Sequence, residues 1–182
     1  MRQLIVWEMM TLDGYFEGPK PWDIDYHEYV WGEELERFSL EQAKEVGTLL
    51  FGRKTYEGMA SYWSTATGDV AEFMNSVPKV VFSNTLERAT WNNTRLVKGQ
   101  AQDEVVRLKQ ASGKDLFIFG SADLADSLTK RRLIDEYRIG LNPLILGSGN
   151  PLFKPNDERL RFKLLEARPM QSGVVLLRYA RT

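Results

Sequence analysis

Leu49–Met59 reads LLFGRKTYEGM. Three apolar residues run into Gly52, and Arg53, Lys54 and Thr55 follow at once. A short apolar run that stops at glycine predicts a buried strand over Thr48–Phe51. The residues Thr55–Ala60 predict the start of a helix. The junction therefore sets two cations and a hydroxyl at the end of a buried strand.

The same grammar recurs along the chain. Leu4–Met10 (LIVWEMM), Pro78–Ser83, Thr94–Val97, Asp115–Phe119 and Asp135–Leu141 read as further strands. Helical spacing runs over His27–Val46, where Leu35, Phe38, Ala43 and Val46 share a face and Gly47 is the expected C-cap. Gln102–Ala111 and Ala122–Arg132 read as two more helices. Lys130, Arg131 and Arg132 close the last of these, where the helix dipole favours cations. Arg161–Glu166 and Val174–Tyr179 flank a Gln-Ser-Gly turn and predict an antiparallel pair. Strands alternate with helices for about 140 residues, and then strands follow strands. This order predicts one α/β domain over residues 1–182, with a mainly parallel sheet, helices on both faces and an antiparallel C-terminal edge.

Composition narrows the chemistry. The 182 residues carry 24 Lys+Arg against 25 Asp+Glu, a net charge of -1, which gives no electrostatic case for nucleic acid or an anionic membrane. There is no cysteine and one histidine, His27, so thiolate catalysis, disulfides and multi-histidine metal sites are all excluded. His27 sits in PWDIDYHEY and reads as a surface-loop or helix-start residue. No run approaches the roughly 18 apolar residues of a spanning helix, and the N-terminus lacks a signal-peptide pattern. The expected location is the cytoplasm, and no metal is expected.

In sheets of this kind, ligands bind beyond the carboxyl ends of the strands. Three predicted strand ends carry hydrogen-bond donors: Gly52-Arg53-Lys54-Thr55, Ser83-Asn84 and Gly120-Ser121-Ala122. Two of them lead into helices, whose N-terminal N–H groups favour phosphate. Each has a plainer reading: Gly120-Ser121 as a strand-to-helix turn with Ser121 as N-cap, Arg53-Lys54 as a solvated pair. Neither a GK[ST] P-loop nor a GxGxxG is present. Asp13, in TLDGYF, is a candidate substrate carboxylate or proton-transfer group; the alternative is a turn aspartate bonded to its own backbone. The apolar run Pro143–Leu146 before Gly147-Ser148-Gly149 needs cover, which a second subunit could supply.

Taken together, LIVWEMMTLDGYFEG, LLFGRKTYEGM, KVVFSNTL and DLFIFGSADLADSLTKRRLIDEYRIGLNPLILGSGNPLF resemble dihydrofolate-reductase-like proteins over nearly the whole chain. The branch they look most like is the C-terminal reductase domain of the bacterial bifunctional riboflavin-biosynthesis deaminase-reductase and its stand-alone relatives. The resemblance implies a three-layer sandwich and NADPH as hydride donor. It implies that Arg53, with Lys54, meets the 2′-phosphate, and that Gly52, Thr55, Gly120, Ser121 and Ala122 line the pyrophosphate. Ser83 and Asn84 match the adenosine end, and Asp13 the substrate end. Glu34 matches, after a Trp, the helix carboxylate of dihydrofolate reductases. The chain departs from the pattern twice. Ser121 replaces the second glycine of the turn, and Phe119 stands where the pyrimidine reductases carry a glutamate. The expectation is an NADPH-dependent reductase acting on a small polar substrate, as a homodimer. The alternatives are dihydrofolate reductase activity or a non-catalytic nucleotide-binding module.

Overall fold

The computed structural model describes all residues, Met1–Thr182. Its frame is an eight-stranded sheet. In chain order the strands and helices are β1 (Leu4–Thr11), β2 (Tyr15–Glu17), α1 (Glu33–Ala43), β3 (Val46–Gly52), α2 (Arg53–Trp63), α3 (Asp69–Ser76), β4 (Lys79–Phe82), β5 (Thr94–Val97), α4 (Ala101–Gln110), β6 (Asp115–Phe119), α5 (Ala122–Lys130), β7 (Glu136–Asn142), β8 (Asn150–Pro151), β9 (Phe162–Pro169) and β10 (Val175–Arg181). The sheet order is β5-β4-β3-β6-β1-β7-β10-β9. The strands from β5 to β7 in that order pair in parallel, and β10 and β9 add the antiparallel edge.

Alternation along the strands builds the layers. On β1, Leu4 and Val6 face one side, where α4 contributes Val105 and α5 contributes Leu124 and Leu128. Ile5 faces the other side with Phe51, Phe117, Tyr56 of α2 and Met74 of α3. A third cluster seats Leu35 and Phe38 of α1 against Met9 and Leu176. The central strands are buried on both faces, which is why they read as continuous apolar runs.

Three local features differ from expectation. Gly47 is not a helix cap: α1 ends at Ala43 and Gly47 lies inside β3. A Cβ there would meet the Lys114 carbonyl oxygen at 2.6 Å, so glycine permits close backbone approach to the neighbouring strand. The helix α3 and the small β2-β8 pair were not anticipated. At the end of α3, buried Lys79 donates to the Met74 and Val77 carbonyls, both at 2.7 Å. It satisfies orphan carbonyls that a glycine cap would otherwise serve. No helix is long and apolar enough to cross a membrane.

Candidate functional site

The strand order creates one topological switch point. From β3 the chain runs through α2 and α3 to β4, and from β6 it runs through α5 to β7, on the opposite side of β1. Strands β3 and β6 are adjacent and parallel. Their following helices pack on opposite faces of the sheet. The two helix N-termini therefore flank one crevice, and their partial positive charges add there.

Two hydroxyls cross-link this crevice. The Ser121 N–H donates to Thr55 Oγ1 at 3.1 Å, and the Gly52 N–H donates to Ser121 Oγ at 3.0 Å. Both hydroxyls act as acceptors here, so each keeps its own hydrogen to donate. Ser121 sits at the N-cap position of α5 but makes no cap within that helix. Its backbone is left-handed, at φ 56, next to Gly120 at φ 66. A second glycine would adopt this turn without cost; serine holds it through the bond to Gly52. A Cβ on Gly120 would lie 2.8 Å from Thr55 Cγ2, so glycine is required at that position.

The other anticipated residues fall along the same edge. Arg53 and Lys54 open α2 and are exposed; Arg53 pairs with Glu57 at 3.3 Å. Ser83 Oγ accepts from the Thr85 and Leu86 N–H groups, and Asn84 Oδ1 accepts from the Gly99 N–H at 2.8 Å. Because β4, β3 and β6 are consecutive, residues 83–84, 52–55 and 120–122 form one row.

Asp13 and Glu34 have separate partners. Asp13 accepts from the Thr11 hydroxyl at 2.6 Å and from the Leu146 and Gly147 N–H groups at 3.1 and 2.8 Å. The Thr11 bond first, then the two backbone bonds, hold its carboxyl below the usual carboxylate range. At neutral pH it is an ionised acceptor that fastens the Gly147 loop to the end of β1. Glu34 accepts from the Gln171 N–H at 2.7 Å and ties α1 to the β9-β10 turn. His27 lies in a 3-10 turn against Tyr26, with ring centroids 4.6 Å apart, and burial pushes it down to about 4.

Sequence reading passed over Glu8 and did not foresee where Trp22 packs. Glu8 is 6% exposed, its Oε2 has no hydrogen-bond partner, and burial pushes its carboxyl up to about 8. The available signal was a lone carboxylate inside LIVWEMM. Trp22 lies on α2 at Gly58, where a Cβ would fall 2.4 Å from Trp22 Cε3. The loop after β2 thus reaches α2, and the glycine inside a helix was its signal. On the α1 side, the register partners Trp7 and Phe119 are half-buried, and Trp7 packs against Phe38 with the rings tilted and their centroids 5.0 Å apart. An open depression of about 580 Å³, lined by Lys79, Trp91 and Arg95 among others, lies at the opposite, amino ends of β4 and β5.

The fold and this edge define a dihydrofolate-reductase-like α/β protein. More narrowly, residues 2–176 match the family model described as the RibD C-terminal domain, and the chain belongs to that family. The Bacillus subtilis (strain 168) uncharacterized protein YyaP is 28% identical, over 98% of this chain and 94% of its own. A Shewanella sp. PV-4 protein named for riboflavin biosynthesis superposes with a TM-score of 0.83 at 25% identity, covering 99% of both chains. Dihydrofolate reductase from Enterococcus faecalis, complexed with NADP(H), superposes at 0.66 with 14% identity, covering 99% of this chain and 96% of its own, a likeness of fold.

Proposed function

We propose that the protein is an NADPH-dependent reductase of a small polar substrate, related in chemistry to the reductase of riboflavin biosynthesis. The observation that carries this reading is the crevice between β3 and β6. Two helix N-termini converge there, with two hydroxyls that retain donors and two cations beside them. This donor set fits a dinucleotide: the turn Gly120-Ser121-Ala122 and Thr55 would hold the pyrophosphate, and Arg53 with Lys54 the 2′-phosphate. Ser83 and Asn84, next in the row, would border the adenosine. When bound, NADPH supplies hydride to a C=N or C=O carbon.

The chain's own residues would orient and enclose the reactants. Asp13 fixes the Gly147 loop at the end of β1, and Trp22 reaches over α2 to exclude water. Phe119 and Trp7 offer aromatic surface at the substrate end, in place of the glutamate of the pyrimidine reductases. That surface favours a substrate other than the phosphoribosyl-pyrimidine. The expected homodimer belongs to this reading, since Ile145 is 71% exposed; sedimentation velocity tests it.

A second reading, a binding module without turnover, draws on Asp13 and Glu34, both of which accept backbone N–H groups of distant loops. Titration with NADPH followed by tryptophan emission, then nicotinamide absorbance with a panel of carbonyl and imine substrates, separates the two. Binding with oxidation supports the reductase. Binding without oxidation across the panel favours the module. An absence of binding at millimolar NADPH overturns both.

A further inference from the structure

Glu8 is the buried acid that the reading above does not use. It sits on β1 opposite Ile139 of β7, on the sheet face that carries α5. Its Oε2 is 3.9 Å from the point where a Cβ on Gly120 would stand, beside the Thr55 side chain. It forms no ion pair. The titratable groups that act on it are Glu17 of β2, which adds repulsion, and Tyr26 of the 25–27 turn. The Tyr26 hydroxyl donates to the Phe16 carbonyl at 2.9 Å, and burial pushes its own ionisation above the ordinary range. From α2 and β6, the Thr55 side chain and Gly120 lie beside it.

A buried carboxylate without a cation is costly, and the group answers by keeping its proton. While Glu8 is neutral, it leaves the partial positive charges of the helix N-termini beside it unopposed. Once ionised, it would set a full negative charge beside partial positive ones. We propose that Glu8 is the proton-linked binding residue of the anion site: neutral, it lets the pyrophosphate of a dinucleotide settle at the Gly120 turn, and ionised, it expels it. The proposal rests on the cofactor reading. Burial that pushes the carboxyl up to about 8 puts the change in the accessible pH range.

The consequence is proton uptake on binding. At pH 8.5 a fraction of Glu8 is ionised in the free protein and regains its proton when the phosphates arrive. Lys79, lowered to about 8 by burial, lies at the amino end of β4, away from the crevice.

The test uses the full chain and Glu8→Gln at constant ionic strength. Dissociation constants for NADPH and NADH are measured at pH 6.5 and 9.5, and calorimetry at pH 8.5 is run in two buffers of different ionisation enthalpy. The native chain should lose affinity about tenfold or more for both cofactors across this range, and Glu8→Gln less than threefold. The native chain should take up a fraction of a proton per NADPH bound. Equal pH dependence in both proteins, or no proton uptake by the native chain, overturns the proposal and leaves the cofactor reading standing. Failure of the native chain to bind NADPH at any of these pH values overturns both. The proton count on the native chain decides the matter even if Glu8→Gln does not fold.

Discussion

Ser121 offers a quantitative test of how the crevice is built. Two opposing effects meet in this residue. Its left-handed backbone costs roughly 1–2 kcal/mol relative to glycine. Its hydroxyl accepts the Gly52 N–H at 3.0 Å, a bond that stabilises by about 1 kcal/mol. Ser121→Ala keeps the cost and loses the bond, so it should destabilise the protein by about 1–2 kcal/mol. Ser121→Gly loses the bond and removes the cost, so it should be near neutral. The glycine variant should therefore exceed the alanine variant by about 1–2 kcal/mol. Urea unfolding resolves this as a shift in midpoint at constant slope. An alanine variant as stable as the native chain would refute the cross-link, and one indistinguishable from the glycine variant would refute the backbone cost.

Gly58→Ala should force the Trp22 ring off α2 and shift tryptophan emission to the red, with stability held or raised because alanine favours the helix; the shift should vanish in a Trp22→Phe background. Lys79→Ala strips the donors from the Met74 and Val77 carbonyls and should cost about 2–4 kcal/mol by chemical denaturation. Glu8 makes stability depend on pH. Its folded value of about 8 lies above the ordinary 4.5, so between them the unfolded chain ionises while the folded chain keeps its proton. Stability must then fall as pH rises through that window, by up to about 3 kcal/mol between pH 4.5 and 7. Glu8→Gln should lack this part of the slope in unfolding curves measured across pH.

Much of the architecture was legible because the central strands are buried on both faces. LLF, KVVF and DLFIF could hardly be anything but interior strands, and the switch from alternating to consecutive strands announced the antiparallel edge. The row of strand ends was legible for the same reason, since glycine and donor residues follow those runs directly. What the sequence hid depends on distant pairing. Ser121 looks like an N-cap, yet its hydroxyl serves Gly52, 69 positions away. Gly47 looks like a helix stop, yet it makes room for the Lys114 carbonyl. Asp13 is visible at the end of β1 as a carboxylate in a turn, but its partners at residues 146 and 147 appear only in the folded chain. The eight-residue α3 escaped notice because a stretch so short shows little periodicity.

The central claim is that the crevice between β3 and β6 receives a dinucleotide with its 2′-phosphate on Arg53. The most direct measurement is the dissociation constant of NADPH and of NADH for the native chain and Arg53→Ala. A charge-assisted bond to the 2′-phosphate is worth about 1.5–3 kcal/mol, so NADPH should weaken by about 10- to 150-fold while NADH changes less than threefold. Equal weakening of both cofactors, or no weakening of either, would contradict the account.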